Sequence, residues 1–476
     1  MGNLNEIVSI NPSNNEVIWR GKVTAQEELN AIVQKAKLAQ KEWAALSLKE
    51  RENVLRRFGE YVGTHVDEAA YIISEENGKP YWEAKTEVKS LTNKIQVVID
   101  AYDERAKTKT KELINNRLSV TRYCPYGVMA VLGPFNFPMS MPNSHIMPAL
   151  YAGNAVVFKP SERTPKSADY YVNIWKEAGL PDGVLQVVYG EGDLGDLLIK
   201  HPDIDGALFI GSYKAGKSIE KVMAARNRIC AVEMGGNSPL VIWDYSDIRA
   251  AINVVIQSGY ISSGQRCSAA RRIIVNKDLY DDFIPSLSRA VESIVVGNPF
   301  DDQNVPFMGP MIDNNAVSAF LEDYQTLVDS GAKVLVPTAV IKELGDNFVK
   351  PALVDTTNIT TADKEIFGPL LQVICVKSLD EAIKVSNDTI FGLAAGIVTE
   401  NIDIYKHYFD NVKAGIVNWN QQLTGSTTIN PFGGIKGSGN FHSAGYLSVD
   451  YCVYGCASIE SNKAVAPKTL SPGLNF

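Results

Sequence analysis

The pattern of apolar and polar positions changes character near residue 127. Before it, from Thr24 to about Asn77, apolar residues recur three and four positions apart, the period of helices with one buried face. Thr24 followed by Glu27 predicts a capping-box start, and Gly78-Lys79-Pro80 predicts the end of the stretch. Residues 11–22 read as a turn feeding a strand. A further helical stretch is predicted from about Trp82 to Arg105, and the charged segment 105–117 gives way to an alternating strand at 118–123.

After Gly127, short runs rich in Val and Ile follow one another at 128–132, 155–159, 184–189, 207–210 and 229–232. Helices are predicted between them, near 140–150, 165–178, 194–201 and 215–226. Buried-looking strands alternating with helices predict a parallel sheet covered on both faces. A second α/β unit follows Pro239, with strands at 240–242, 272–275, 372–376, 392–398 and 415–419. Its helices are predicted from Ser246 to about Ser263 and near 279–294, 380–387 and 403–412. Residues 451–461 read as a last strand and 464–476 as an irregular arm.

The length, 476 residues, exceeds one ordinary core, so two or three domains are expected. A net charge of −8 argues against nonspecific nucleic-acid binding. Six cysteines with none in a CxxC pair suit reduced thiols in a reducing compartment. Cys452 and Cys456 are four apart, but with five histidines and no second cysteine pair no metal site is expected. Residues 1–6 carry neither a basic nor an apolar leader segment, and no stretch reaches the ~20 apolar residues of a membrane span. A cytoplasmic enzyme is expected.

Candidate chemistry centres on Ser262-Ser263-Gly264-Gln265-Arg266-Cys267-Ser268-Ala269-Ala270-Arg271-Arg272. Cys267 lies among small residues with three arginines close in sequence, and nearby positive charge favours the nucleophilic thiolate. Upstream stand Glu233-Met234-Gly235-Gly236-Asn237 and Pro134-Phe135-Asn136-Phe137-Pro138; downstream stands Glu365-Ile366-Phe367-Gly368-Pro369.

Two glycine patterns compete for attention. Gly190 to Gly195 spells GxGxxG between a strand and a helix, a weak dinucleotide signal that packing alone also produces. Gly211 to Ser218 matches GxxxxGK[ST], so a P-loop nucleotide hydrolase is the rival from another class. Against it, several strands precede this loop, whereas P-loop cores usually place it after their first.

The four spaced motifs around Asn136, Glu233, Cys267 and Glu365 together resemble the signature set of the aldehyde dehydrogenase superfamily. The resemblance implies a Rossmann-like NAD-binding domain (1–106 and 126–235), an α/β catalytic domain (236–437), and a small β oligomerisation element with a C-terminal arm (107–125 and 438–476). A homodimer or homotetramer follows from it. It further implies that Cys267 is the nucleophile, that Asn136 stabilises the oxyanion, and that Glu233 activates the water that releases a free acid. The coenzyme NAD would be held by Lys159 and Glu162, by Gly211, Ser212 and Gly216, and by Glu365 and Phe367. A carboxylate at Glu162 favours NAD over NADP, since it accepts from the ribose 2′-OH and repels a 2′-phosphate.

On the substrate side the resemblance places Lys94, Phe137, Arg266, Ser426 and Phe432. A cation beside the nucleophile, with lysine and serine where relatives often carry apolar or aromatic residues, implies a carboxylated semialdehyde. Longer segments, such as Trp82-Glu83-Ala84-Lys85-Thr86-Glu87-Val88 and the ending Pro472-Gly473-Leu474-Asn475-Phe476, resemble the N-succinylglutamate 5-semialdehyde dehydrogenases of arginine catabolism. The alternative within the superfamily is a non-phosphorylating glyceraldehyde-3-phosphate dehydrogenase, which also has arginine before its cysteine. Asn237 departs from the lysine found there in many members.

Overall fold

The computed structural model describes residues 6–467 and 469–476. The leaderless start read at residues 1–5, and position 468 of the C-terminal arm, lie outside the described residues. An antiparallel pair, β1 (Glu6–Ile10) and β2 (Val17–Lys22), comes first. The long helical stretch is three helices, α1 (Gln26–Ala45), α2 (Leu48–Thr64) and α3 (Val66–Asn77).

The capping box expected at Thr24 and Glu27 is not formed. Ala25 is the N-cap of α1, and the Thr24 hydroxyl instead accepts from the Tyr189 N–H at 3.0 Å. That bond ties the start of α1 to the sheet. The capping box sits at Ser47 and Glu50, where it opens α2 and breaks the stretch. Gly78, left-handed at φ 78°, ends α3 as expected. Helix α4 (Tyr81–Arg105) follows, then a hairpin of β3 (Lys109–Leu113) and β4 (Arg117–Pro125).

The first α/β unit comprises β5 (Val128–Leu132), α5 (Ser140–Ala152), β6 (Ala155–Lys159), α6 (Pro165–Glu177), β7 (Leu185–Val187), α7 (Gly192–Lys200), β8 (Gly206–Gly211), α8 (Tyr213–Ala225) and β9 (Ile229–Met234). Its strands form a parallel sheet in the order β7-β6-β5-β8-β9. Side chains alternate across it. Met129 and Val131 pack with Phe58 of α2 and Trp175 of α6, whereas Val128, Ala130 and Leu132 pack with Leu29, Leu198 and Met223 of α1, α7 and α8. Burial on both faces is why these strands read as unbroken apolar runs. The chain runs from β5 outward to β7, then returns to β8 and β9 on the other side, so the order reverses at the carboxyl ends of β5 and β8. Ligands bind at such reversals.

The second unit holds β10 (Ser238–Ile242), α9 (Ile248–Gly259), β11 (Ala270–Asn276), α10 (Lys277–Glu292), α11 (Asn314–Asp329), β12 (Lys333–Val336), β13 (Ala352–Asp355), β14 (Leu370–Val376), α12 (Leu379–Asn387), β15 (Ala394–Val398), α13 (Ile402–Asn411) and β16 (Ile416–Trp419). Its seven-stranded sheet runs β12-β13-β14-β11-β10-β15-β16, with only the β12–β13 pairing antiparallel. Helix α9 stops at Gly259, short of the expected Ser263, because Ser262, Ser263 and Gly264 turn left-handed (φ 55°, 53° and 70°).

A short pair, β17 (Pro431–Phe432) and β18 (Ala444–Gly445), precedes the last strand, β19 (Val453–Glu460). Strand β19 pairs with β4, so the hairpin and the C-terminal strand form one antiparallel sheet, β19-β4-β3. No helix among the described residues is long and apolar enough to cross a membrane.

Candidate active site

The four segments expected from the first unit leave the same edge of its sheet. Strand β5 runs into the Asn136 loop, β6 ends at Lys159 and leads to Glu162, β8 ends at Gly211, and β9 carries Glu233 near its end. The second unit answers with loops before its strands: Cys267 precedes β11, and Glu365 and Phe367 precede β14. Parallel order thus brings distant residues to one place.

The Cys267 loop is held in an unfavourable backbone conformation. Left-handed Ser262 and Ser263 cost about 1–3 kcal/mol each, a conformation that persists only where surroundings over-determine it. Here they do. The Ser262 hydroxyl donates to the Glu83 carboxylate of α4, and the Ser263 hydroxyl donates to the Gly309 carbonyl at 2.7 Å. Arg271 donates to the Gly264 carbonyl at 2.7 Å, to Arg266 at 3.0 Å and to Gly368 at 3.2 Å. A Cβ on Gly264 would meet the Gly368 carbonyl oxygen at 2.1 Å, so glycine is required there.

These bonds overturn one expectation. The three arginines do not hold Cys267 as a thiolate, because most of their donors are engaged elsewhere, Arg271 Nε being the exception. Arg272 donates to the carbonyls of Asn237, Val385 and Ser386, and Arg266 pairs with Glu83 at 2.8 Å. Burial, followed by the carboxylates of Glu233 and Glu365, pushes the Cys267 thiol up to about 12. Arg266 opposes this least of the causes. At neutral pH the thiol keeps its proton.

Glu233 is buried and its carboxyl is raised well above the usual range by that burial, against one backbone N–H, that of Gly434. Its carboxylate lies against the 433–434 loop, where a Cβ on Gly433 would meet Glu233 Oε1 at 2.7 Å. A Cβ on Gly235 would meet Glu365 Oε2 at 1.9 Å, and one on Gly236 would lie 3.7 Å from the Cys267 carbonyl. The Glu233–Gly236 loop therefore passes between Glu365 and the Cys267 loop. Asn136 is buried, and its side-chain amide donates to the Gln265 carbonyl at 2.9 Å, two residues before the cysteine.

A cavity of about 240 Å³ opens onto Cys267 and is lined by all five expected substrate-side residues, Lys94, Phe137, Arg266, Ser426 and Phe432. Many of its remaining walls are hydroxyls, including Thr86, Ser90, Ser144, Ser268, Thr424 and Thr427. Arg266 lines it without offering a free charge, which corrects the expectation of two cations. Its guanidinium joins Glu83, the Ser262 hydroxyl at 2.8 Å and the Thr424 carbonyl at 3.4 Å, and lies over the Phe137 ring at 4.9 Å. Lys94 is different. Its ammonium donates to the Ser140 carbonyl, it has no carboxylate partner among the described residues, and burial lowers it to about 8. Glu83 and Glu87 also line the cavity, and the sequence had marked neither as part of the site.

On the coenzyme side, Lys159 is buried and lies 4.0 Å from the half-exposed Glu162. Ser212 is the N-cap of α8, accepting from the Ala215 N–H at 3.4 Å, and the first turn of that helix is open to solvent. An open helix N-terminus at the reversal point of a parallel sheet fits a pyrophosphate. Glu365 Oε1 is buried with no hydrogen-bond partner, 3.9 Å from the Arg271 guanidinium, which leaves it open to a ribose hydroxyl; burial raises this carboxyl to about 7. The Phe367 ring is fixed by Phe135 edge-on at 5.9 Å and by Arg271 at 5.4 Å. A nicotinamide dinucleotide fits this set.

Gly216 serves packing, since a Cβ there would meet Met234 Sδ at 2.5 Å. Gly195 of the GxGxxG pattern likewise packs α7, with a Cβ contact to Leu132 at 3.2 Å. Lys217, the lysine of the P-loop pattern, pairs with Glu220 at 2.5 Å within α8. Among the described residues no cluster of three or more His, Cys, Asp or Glu side chains is arranged to hold a metal ion.

The family model described as the aldehyde dehydrogenase family matches residues 1–454. A solved structure of an NADP-dependent enzyme of E. coli superposes with a TM-score of 0.90 at 29% identity, over 96% of this chain and 94% of that one. Lactaldehyde dehydrogenase from Escherichia coli gives 0.90 at 28%, over 97% and 96%. A putative methylmalonate-semialdehyde dehydrogenase from Sinorhizobium meliloti, solved with NAD, gives 0.91 at 26%, again over 97% and 96%. A match over nearly the full length, on a site whose cysteine, glutamate and asparagine loops meet as that chemistry needs, decides against the P-loop reading: the chain belongs to the aldehyde dehydrogenase family.

Proposed function

We propose that this protein oxidises an anionic aldehyde to its carboxylic acid with NAD, through a thioester on Cys267. The observation that supports this most is the meeting of Cys267, Glu233 and Asn136 beside a cavity whose one cation lacking a carboxylate partner, among the described residues, is Lys94. An aldehyde does not readily surrender hydride, because its carbonyl carbon is electron-poor. Addition of the Cys267 sulfur makes a tetrahedral hemithioacetal whose oxyanion expels hydride and leaves a thioester. NAD, when bound, would supply the acceptor for that hydride at its nicotinamide ring.

The thiol proton must leave for attack to occur, and Glu233 in its ionised form is the acceptor on hand; burial disfavours that form, so the transfer gains as pH rises. Asn136 gives one amide hydrogen to the Gln265 carbonyl and keeps the other for the oxyanion. Once Glu233 has released the thiol proton to solvent, it takes a proton from water in the second half, the hydroxide adds to the thioester, and the sulfur departs as thiolate. Lys159 and Glu162 would hold the adenosine ribose, the start of α8 the pyrophosphate, and Glu365 and Phe367 the nicotinamide end. Glu162 supports NAD over NADP.

Lys94 and the hydroxyl-lined wall suit a substrate carrying carboxylates, of which N-succinylglutamate 5-semialdehyde is the specific candidate. Methylmalonate semialdehyde, named for one structural neighbour, is likewise a carboxylated aldehyde. The pairing of Arg266 with Glu83 weighs against glyceraldehyde 3-phosphate, since that arginine is not available to a phosphate. The test is kcat/KM for N-succinylglutamate semialdehyde, succinic semialdehyde, glyceraldehyde 3-phosphate and a neutral aldehyde, each with NAD and with NADP. Preference for the first with NAD is expected. Preference for the phosphorylated or the neutral aldehyde would overturn the assignment. The β19-β4-β3 sheet leaves Tyr454 and Ile459 exposed, which supports its role in a homodimer or homotetramer. Six unpaired thiols support a reducing cytoplasm.

A further inference from the structure

We propose that the buried ion pair Lys79–Glu87 is a positioning device for Asn136, the oxyanion donor; this rests on the role assigned to Asn136 above. Lys79 follows the left-handed Gly78 that ends α3, and Glu87 projects from α4. Their side chains meet at 2.6 Å and are 3% and 0% exposed. Each then reaches one end of the loop that follows β5. Lys79 donates to the Asn136 carbonyl at 2.7 Å and lies over the Phe137 ring at 3.7 Å. Asn77 adds donors to the Phe135 and Asn136 carbonyls, both at 3.4 Å. Glu87 accepts from the N–H groups of Met139 and Ser140, both at 3.2 Å, where α5 begins.

The loop is thus gripped by its carbonyls on one side and by its N–H groups on the other. The Asn136 side chain is then fixed at its far end by the Gln265 carbonyl, beside the nucleophile. A buried ion pair contributes little net stability compared with apolar residues of the same volume. Its presence here is better explained by geometry: without Lys79 the Asn136 peptide can rotate, and its amide swings away from where the oxyanion forms. Lys79 itself is not among the residues lining the cavity, so its action is indirect.

The test is Lys79→Met in the full-length enzyme, alone and combined with Asn136→Ala, with kcat and KM measured separately. Misplacing an oxyanion donor predicts a kcat lower by about 10–100-fold with KM for aldehyde and NAD nearly unchanged. In the Asn136→Ala background the same substitution should lower kcat by less than about twofold, because the group it positions is already gone. Equal losses in both backgrounds would mean general damage to packing and would overturn the proposal, as would an unchanged kcat in the single variant. If Asn136→Ala alone leaves kcat intact, the oxyanion role itself fails, and the proposal with it. Should Lys79→Met not fold, Glu87→Gln, which removes the charge but keeps an acceptor for the Met139 and Ser140 N–H groups, is measured by the same cycle and judged by the same outcomes.

Discussion

On the loop that carries Cys267, three arginines direct their donors inward; on the cavity wall, Lys94 meets a backbone carbonyl and no carboxylate. The first group is dense in sequence and weak at the sulfur, where Glu233 and Glu365 outweigh Arg266. The second is a single residue 173 positions upstream, and it lines the cavity that opens onto Cys267. The difference teaches that the number of charges near a nucleophile says little until their partners are known. Arg266 and Arg271 here hold a left-handed loop, and the lysine, on the proposed function, is left to recognise charge.

The comparison breaks most sharply at the cysteine. Cys267→Ala should lower oxidation on the order of 10⁴-fold or more while leaving NAD binding intact, as read by NADH formation and a binding titration. Substantial residual turnover would remove it as nucleophile. Arg266→Ala strands the Glu83 carboxylate and should destabilise folding by about 3–5 kcal/mol in denaturant unfolding, with kcat/KM falling alike for charged and neutral aldehydes. A selective loss for the charged aldehyde would make Arg266 a substrate ligand. Lys94→Met should do what Arg266→Ala does not: lower kcat/KM for a dicarboxylated aldehyde by about 10–100-fold and leave a neutral one nearly unchanged, the worth of one charge-assisted hydrogen bond. An equal effect on both would return Lys94 to a structural role.

The smallest effect is on pH. A thiol pushed up to about 12 is protonated at neutral pH, so kcat/KM should keep rising with pH above neutrality as the thiolate fraction grows. A profile that levels near pH 7 would mean that the arginines do hold a thiolate.

Much of this was legible in the sequence because the decisive signals were local. Strands buried on both faces appear as Val and Ile runs, and their ends place Asn136, Lys159, Gly211 and Glu233 on one edge. What was hidden was non-local. The Thr24 hydroxyl has a partner 165 residues away, so a correct capping-box spacing formed no cap. The edge strand β12 is half-exposed and β13 has four residues, so neither shows a clear period, and α11 between irregular segments went unread with them. Glu83 and Glu87 face the loops of Cys267 and Asn136 from a helix whose own pattern shows only amphipathicity. Without those partners the charge on Arg266 looked free.

The most direct test of the central claim is rapid quenching of Glu233→Gln after mixing with NAD and a carboxylated aldehyde, followed by mass analysis of the peptide containing Cys267. The account predicts a burst of about one NADH per active site, then stalling, with the acyl group carried on Cys267. Steady turnover at the wild-type rate with no acyl adduct on Cys267 would contradict it.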